Sequence, residues 1–254
     1  MSDEKQMTFW DHLDVMRGGV LRSAAVWVVF SIVAFVMKDW LFRVVFAPSQ
    51  TDFILYKVLG LGDFDVKFIN TDLTAQFIVH LEVAMLAGLV VAMPYIVIEV
   101  YRFIAPALYE NERRVSAGVT TGGVVLFVAG ALLNYFVIFP FAFRFLSLYQ
   151  VNDVVVNQIS LKSYVSTLIV MTIMIGVLFE MPVVAWVLGK VGLINADGMR
   201  KYRRHAIVAL LILAAVITPT GDAVTLMLVA VPLYALYELS ILLVKNPKIK
   251  DSTT

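Results

Sequence analysis

Long apolar runs separated by short charged segments decide what this chain can fold into. Six such runs follow one another along the sequence, each with few charged residues. Because lipid offers no partners for backbone N–H and C=O groups, runs of this kind predict transmembrane helices. The predicted spans are 23–41, 77–101, 117–139, 163–188, 206–217 and 223–244. We therefore expect an all-α membrane protein with six transmembrane helices, forming one integral membrane domain over residues 1–254.

Composition supports a membrane location and narrows the possible functions. Hydrophobic residues make up 61% of the 254 residues and charged residues only 15%, which is too apolar for a soluble domain of this size. The formal net charge of +1 argues against electrostatic capture of nucleic acid. Cysteine is absent, which excludes disulfides, thiolate metal sites and a cysteine nucleophile. No small-residue cleavage site follows the first apolar run, so we interpret this run as a retained anchor.

The distribution of Lys and Arg predicts the orientation of the chain in the membrane. In the six-span arrangement, 14 of the 20 Lys and Arg residues lie on the side that holds both termini and 6 lie on the other side. The positive-inside rule therefore predicts that both termini are cytoplasmic. The fifth run has about 12 apolar residues and would reach only about 18 Å at 1.5 Å per residue. Local thinning of the bilayer or shielding by neighbouring helices is expected there.

The loop between the second and third spans changes from apolar to densely charged within about ten residues. It reads Phe103-Ile-Ala-Pro-Ala-Leu-Tyr-Glu-Asn-Glu-Arg-Arg114, and Pro106 is expected to end the preceding helix. One interpretation is a solvated loop whose arginines only mark the cytoplasmic side. A second interpretation is a recognition surface. The acids of this loop and of the amphipathic start of the chain, around Asp14, would suit a basic peptide, because arginine pairs bidentately with carboxylates.

Glu180 is the sharpest polar signal inside an apolar run. A carboxylate in the hydrocarbon region should face protein or water, and Pro182 can bend the helix beside it. Glu180 is therefore either a functional intramembrane residue or a carboxyl group that fixes helix packing. The spacing of Gly118 and Gly122 predicts a close approach by another helix.

Metal and enzyme chemistry receive no support from the sequence. His80 and Glu82 would point about 160° apart on a helix, so we expect no shared metal site between them. Zinc, nucleophile-elbow and phosphate-loop motifs are missing, and no enzyme or cofactor is indicated.

Several motifs of one known family follow in order along the chain. They cover its first cytoplasmic loop, its amino-terminal motif, its first external segment, the end of the third span, the fourth span and the last external turn. The matching segments are Phe103 to Tyr109 with Glu112 to Arg114, His12-Leu13 with Arg17, Ala47-Pro48, Tyr135 to Pro140, Phe179 to Pro182, and Thr218-Pro219 with Asp222. On these residues the chain resembles TatC, the multi-spanning subunit of the twin-arginine protein translocase.

The resemblance implies a glove-shaped bundle of six helices, with shortened fifth and sixth helices, in a bacterial-type inner (cytoplasmic) membrane. It implies binding of the twin-arginine signal peptides of folded precursors and transport driven by the proton gradient. It further implies single-span partners of the TatA and TatB type, contact with the lipid bilayer and self-association. No nucleic acid, nucleotide hydrolysis or cofactor is implied.

The resemblance also implies roles for particular residues. Those that would bind the signal peptide are Glu112, Arg113, Arg114, Phe103, Asp14 and Arg17. Glu180 would be the intramembrane polar residue facing the concave side of the glove, while Pro48 and Asp222 would belong to the external cap. The family usually has glutamate two residues before the amino-terminal arginine, where this chain has Val15 and places Asp14 one position earlier. On a helix this moves the carboxylate by about 100°. The turn ending at Asp222 is one residue longer than the common family form.

Two other functions stay open from the residues alone. Carboxylates in or near the spans, Glu82, Glu99, Glu180 and Glu238, also suit a proton-coupled small-solute secondary transporter. Such a transporter would ordinarily favour internally repeated halves, which the sequence lacks. An intramembrane hydrolase would need a nucleophile and base, and no such pair stands out.

Overall fold

A computed structural model describes residues 9–62, 64, 66–104, 113–152, 157–219 and 222–244, with the backbone alone described for 9–12, 104 and 113–120. Within these residues the chain forms eleven α-helices and one parallel sheet of two strands. The helices are α1 (Phe9–Val36), α2 (Lys38–Phe46), α3 (Ile54–Val58), α4 (Ala75–Ile104), α5 (Arg113–Leu133), α6 (Phe139–Leu148), α7 (Leu161–Phe179), α8 (Met181–Lys190), α9 (Ala196–Lys201), α10 (Arg203–Ile217) and α11 (Ala223–Leu243). The strands are β1 (Phe68–Ile69) and β2 (Ile159–Ser160).

Five stretches in the described part of the chain are helical, long and apolar enough to cross a membrane. They are Leu13–Val36, Ala75–Phe103, Thr121–Leu148, Leu161–Lys190 and Ala223–Leu243. The shortest has 21 residues, about 32 Å at 1.5 Å per residue, which matches a hydrocarbon core of about 30 Å. Helix α10 has 15 residues and is shorter than these. The prediction of a helical, multi-pass membrane protein is confirmed, and the two short strands are an addition that the sequence did not predict.

The third apolar run forms a longer helical stretch than its predicted limits of 117–139. Helix α5 passes through a π-helical turn, Asn134–Ile138, directly into α6. Pro140 lies in the first turn of α6. Its ring lacks an N–H and would crowd the preceding turn of a regular helix, and the wider π turn gives it room. Nδ2 of Asn134 donates a hydrogen bond of 2.9 Å to Oγ1 of Thr172 on α7.

Glycines let α5 and α7 interlock. A Cβ atom added at Gly176 would lie 2.6 Å from the Phe127 ring, and one added at Gly130 would lie 2.7 Å from the Phe179 ring. Each phenyl ring thus fills the space that the opposite glycine leaves. A Cβ added at Gly122 would find nothing within 4 Å among the described residues. The predicted close approach is therefore not found at Gly122 within the described part of this chain, and the surroundings of Gly118 lie outside it.

Helix α1 packs along α4 over most of its length. Gly88 contacts Ser31 so closely that any Cβ at this glycine would overlap the serine. One turn away, Nε1 of Trp27 donates a hydrogen bond of 2.8 Å to the carbonyl oxygen of Met85. These contacts fix the register of the two helices.

An aromatic cap covers the end of the bundle where α1 finishes and where α4 and α7 begin. It comprises α2, α3, the first part of α6 and the two strands, in which Phe68 pairs with Ile159. Its rings pack in edge-to-face, tilted and stacked pairs, with Tyr56, Phe64, Phe68, Phe139, Phe143 and Tyr164 at the centre. The cap joins the two long connections that the sequence places on the external side.

Candidate functional site

A charged cluster around Glu99 lies at the opposite end of the bundle from the aromatic cap. The Glu99 side chain is only 3% exposed. Arg22 of α1 binds this carboxylate bidentately: its Nε donates to Oε1 at 3.1 Å and its Nη2 donates to Oε2 at 2.8 Å. Charge-assisted, bidentate hydrogen bonds of this kind are roughly twice as strong as hydrogen bonds between neutral groups.

Two residues of α4 complete the hydrogen bonding of Glu99. The Tyr95 hydroxyl donates to Oε1 at 2.9 Å, and Nη1 of Arg102 donates to the same oxygen at 3.2 Å. The buried carboxylate is thereby paired, as a buried charge must be. Two guanidinium groups against one carboxylate leave this cluster with a net charge of +1.

Sequence reasoning missed this cluster. Arg22 was counted only as a positive charge on one side of the membrane, and Glu99 only as an acid near a span end. The two residues are 77 positions apart, so no local pattern links them. A signal was nevertheless present, since Glu99 lies inside an apolar run and Arg22 directly precedes one, and a charged residue at such a depth needs a partner.

A groove between α1 and α4 opens beside the cluster. Its volume is about 380 Å³, and its lining includes Arg22, Arg102 and Phe103. Phe103 thus lies where the last turn of α4 leads into the charged loop, on the wall of a groove. Val15 also lines it.

The other predicted recognition residues lie around this region or outside the described residues. Asp14 and Arg17 lie on α1 with exposed side chains, and Asp14 is not part of the groove lining. Arg113 and Arg114 begin α5, where only the backbone is described. Glu112 lies outside the described residues.

Glu180 occupies the break between α7 and α8. Helix α7 ends at Phe179 and α8 begins at Met181, because Pro182 supplies no N–H and so favours the first turn of a new helix. The predicted bend beside Pro182 is therefore present as a break in the helix.

A second groove, of about 280 Å³, separates Glu180 from α4. The Oε1 atom of Glu180 is buried and has no hydrogen-bond partner among the described residues. Ile96 and Val100 of α4 line both this groove and the α1–α4 groove. The two grooves therefore adjoin along one helix.

The predicted cap residues Pro48 and Asp222 each accept a hydrogen bond toward the opposite end of the molecule. Pro48 is buried, and its carbonyl oxygen lies 2.8 Å from the Tyr56 hydroxyl, which is also 2.9 Å from the carbonyl oxygen of Pro140. Burial raises the pKa of Tyr56, so its hydroxyl stays protonated and can donate. Asp222 caps α11, with Oδ1 accepting from the backbone N–H of Thr225 at 2.8 Å.

Metal coordination has no basis in the part of the chain that the structure describes. No three His, Asp or Glu residues there form a group that could hold a metal ion.

These features define a multi-pass helical membrane protein. It carries the paired carboxylate of Glu99 and the unpaired oxygen of Glu180 inside its bundle, and an aromatic cap at one end. The family model described as Sec-independent protein translocase protein (TatC) matches residues 11–232. The chain belongs to the TatC family, and the resemblance inferred from its motifs is confirmed. Proteins of this family take part in protein translocation, and they are transport components rather than catalytic enzymes.

Relatives from several bacteria match most of the chain. The Sec-independent protein translocase protein TatC of Blattabacterium sp. subsp. Periplaneta americana is 31% identical over 95% of this chain and 96% of its own length. The TatC protein of Deinococcus radiodurans is 35% identical over 92% of this chain and 84% of its own length. The TatC protein of Aquifex aeolicus is 30% identical over 94% of this chain and 95% of its own length.

Solved structures agree with the fold. A crystal structure of the twin-arginine translocase receptor TatC in DDM superposes with a TM-score of 0.75 at 31% identity, covering 92% of this chain and 99% of the other. A second crystal structure of the receptor gives a TM-score of 0.72 at 30% identity, covering 91% and 97%.

Proposed function

We propose that this chain is the core receptor subunit of a twin-arginine translocase, which binds the twin-arginine signal peptides of folded precursor proteins and organises their proton-gradient-driven transport. The observation that carries the proposal is the family match over residues 11–232. It is supported by the structural likeness to proteins described as twin-arginine translocase receptors.

The proposed recognition surface is the charged loop between α4 and α5. Glu112 pairs with a signal-peptide arginine, while Phe103, Arg113 and Arg114 shape the same surface. The ends of the loop support this assignment, because Phe103 lies on the wall of the α1–α4 groove and Arg113 begins a long helix.

The amino-terminal motif belongs to the same proposed surface. Asp14 and Arg17 are exposed on α1, which packs against α4 and is tied to it by the Arg22–Glu99 ion pair. In this arrangement Asp14 supplies a second carboxylate for the signal peptide, and Arg17 helps to shape its setting.

The proposed membrane arrangement has six spans in a glove-shaped bundle, with both termini in the cytoplasm of a bacterial-type cell. Helix α10, with 15 residues, is the short fifth span, and α11 is the sixth. Glu180 faces the concave side of the bundle, and Pro48 and Asp222 stabilise the external cap. Single-span subunits of the TatA and TatB type, and further copies of this chain, are the proposed partners in the bilayer.

Site-directed crosslinking tests the assigned role of Glu112. Membranes carrying the Glu112→Ala or Glu112→Lys variant are incubated with a photoreactive twin-arginine precursor, and Glu110→Ala serves as the matched control. A charge-assisted hydrogen bond is worth about 1.5–3 kcal/mol, so crosslinking should fall roughly tenfold for Glu112→Ala and further for Glu112→Lys. Undiminished crosslinking in both Glu112 variants contradicts the role.

A further inference from the structure

The cluster around Glu99 keeps unused hydrogen-bonding capacity. The side chains of Arg22 and Arg102 are 54% and 64% exposed, although both pair with the buried Glu99. A guanidinium group has five N–H donors. Arg22 directs two of its nitrogens and Arg102 directs one of its nitrogens to Glu99, and the remaining donors make no hydrogen bond with a described residue. An anion could therefore accept from both arginines without disturbing Glu99.

The cluster lies inside the hydrocarbon core, on the side toward the membrane surface opposite the aromatic cap. Arg22 precedes Val36, the last residue of α1, by 14 positions, which corresponds to about 21 Å along the helix axis. The hydrocarbon core is about 30 Å thick. An arginine at this depth can extend its side chain toward the nearby membrane surface, where phospholipid phosphates lie.

The groove beside the cluster is apolar and open to the bilayer. Val20 and Val100 line it and are 61% and 53% exposed. Ala24 and Trp27 continue the same lining along α1, and the Trp27 ring is fixed by its hydrogen bond to Met85. One groove therefore joins two exposed guanidinium groups to a strip of apolar surface.

We propose that the α1–α4 groove binds one anionic phospholipid. Its phosphate accepts hydrogen bonds from Arg22 and Arg102, and one acyl chain lies along Val20, Ala24 and Val100. The charges are complementary, because the cluster carries a net +1 and a phosphodiester carries −1. A basic peptide fits less well, since the only carboxylate among the lining residues is already shared by two arginines. Basic pockets between transmembrane helices are typical sites for anionic lipid headgroups.

Native mass spectrometry of the purified full-length chain tests the headgroup contact. The protein is incubated with phosphatidylglycerol or with phosphatidylcholine, and retained lipid is measured. Phosphatidylglycerol should be retained more, and Arg102→Gln should lower its retention roughly fivefold, the effect of one basic residue at an anionic surface. This variant leaves Glu99 paired with Arg22. Arg200→Gln is the matched control, since Arg200 is 51% exposed and also pairs with an acid three residues away.

A second variant independently tests the proposed contact between the acyl chain and the groove. Ala24→Trp fills the groove without changing a charge and should lower the retention of phosphatidylglycerol, while the midpoint of thermal unfolding checks that the variant folds. Glycerol phosphate, which lacks acyl chains, should compete weakly. Equal retention of the two lipids, no effect of Arg102→Gln, or equal competition by glycerol phosphate would overturn the proposal. So would labelling of Val20 and Ala24, where the acyl chain is proposed to lie, by a photoreactive twin-arginine peptide in place of lipid. The lipid measurement contains no precursor, so its outcome is independent of the proposed receptor function.

Discussion

Glu99 and Glu180 are both carboxyl groups within apolar helices, but their surroundings differ. Glu99 accepts hydrogen bonds from three side chains, two of them cationic. Glu180 has one buried oxygen without a partner among the described residues and lies beside a groove. A paired carboxylate is suited to holding helices together, whereas an unpaired one is suited to meeting a group that arrives from outside the chain.

The Arg22–Glu99 pair should show strong energetic coupling. Arg22→Gln removes the bidentate partner of a buried carboxylate and should lower the midpoint of thermal unfolding in detergent by several degrees. Glu99→Gln should cost less, because it removes the buried charge itself. The double variant should be more stable than Arg22→Gln alone, and a double-mutant cycle measures this coupling. Strictly additive losses would contradict it.

Tyr56 should stabilise the aromatic cap through its hydroxyl. Tyr56→Phe leaves the buried carbonyl oxygens of Pro48 and Pro140 without this donor, which should reduce the free energy of unfolding by about 1–3 kcal/mol. Tyr149→Phe is the control, because Tyr149 is 59% exposed and its hydroxyl makes no hydrogen bond with the described residues. Chemical or thermal unfolding in detergent compares the two variants, and equal losses would count against the assignment.

At the scale of helices and strands, apolar runs and proline predicted much of what the structure shows. The break at Glu180 follows from Pro182, whose effect is local and therefore readable from sequence. The continuation from α5 through a π turn into α6 was not predicted, because a proline at position 140 would ordinarily be expected to end the helix. The pairing of β1 with β2 was also missed, because two-residue strands far apart in the chain leave no periodic pattern.

The interlocking of α5 with α7 should tolerate no side chain at Gly176. Gly176→Val places atoms within the Phe127 ring and should destabilise the bundle by about 1–3 kcal/mol through overpacking. Gly122→Val is the matched control on α5, because its Cβ would contact no described residue within 4 Å. Thermal unfolding in a single detergent measures both variants. A loss for Gly122→Val as large as that for Gly176→Val would show that helix propensity, and not packing, sets the cost.

At the scale of the whole molecule, the sequence located the proposed recognition region but not the side chains around it. Phe103 was predicted from a motif, and the structure places it on a groove wall. Val15 lines the same groove, while Asp14 does not, as the 100° separation of neighbouring helical residues leads one to expect. The ion pair between Arg22 and Glu99 depends on how α1 packs against α4. Such long-range pairing cannot be read from one sequence.

A receptor and a solute transporter differ in what the isolated chain does. As a receptor subunit, this chain alone in lipid vesicles should not dissipate an imposed pH gradient when small solutes are added, and Glu180→Gln should behave like the wild type. Fluorescence of a pH-sensitive dye measures the gradient. Solute-dependent proton movement that disappears in Glu180→Gln would favour a proton-coupled transporter instead.

Recovery of the chain by a signal peptide tests the receptor function most directly. An immobilised twin-arginine signal peptide is compared with its Lys-Lys version, using detergent-solubilised full-length protein. Lysine keeps the charge but cannot pair bidentately with a carboxylate. The proposed function predicts that the twin-arginine peptide recovers several times more protein than the Lys-Lys peptide. Equal recovery by the two peptides would contradict it.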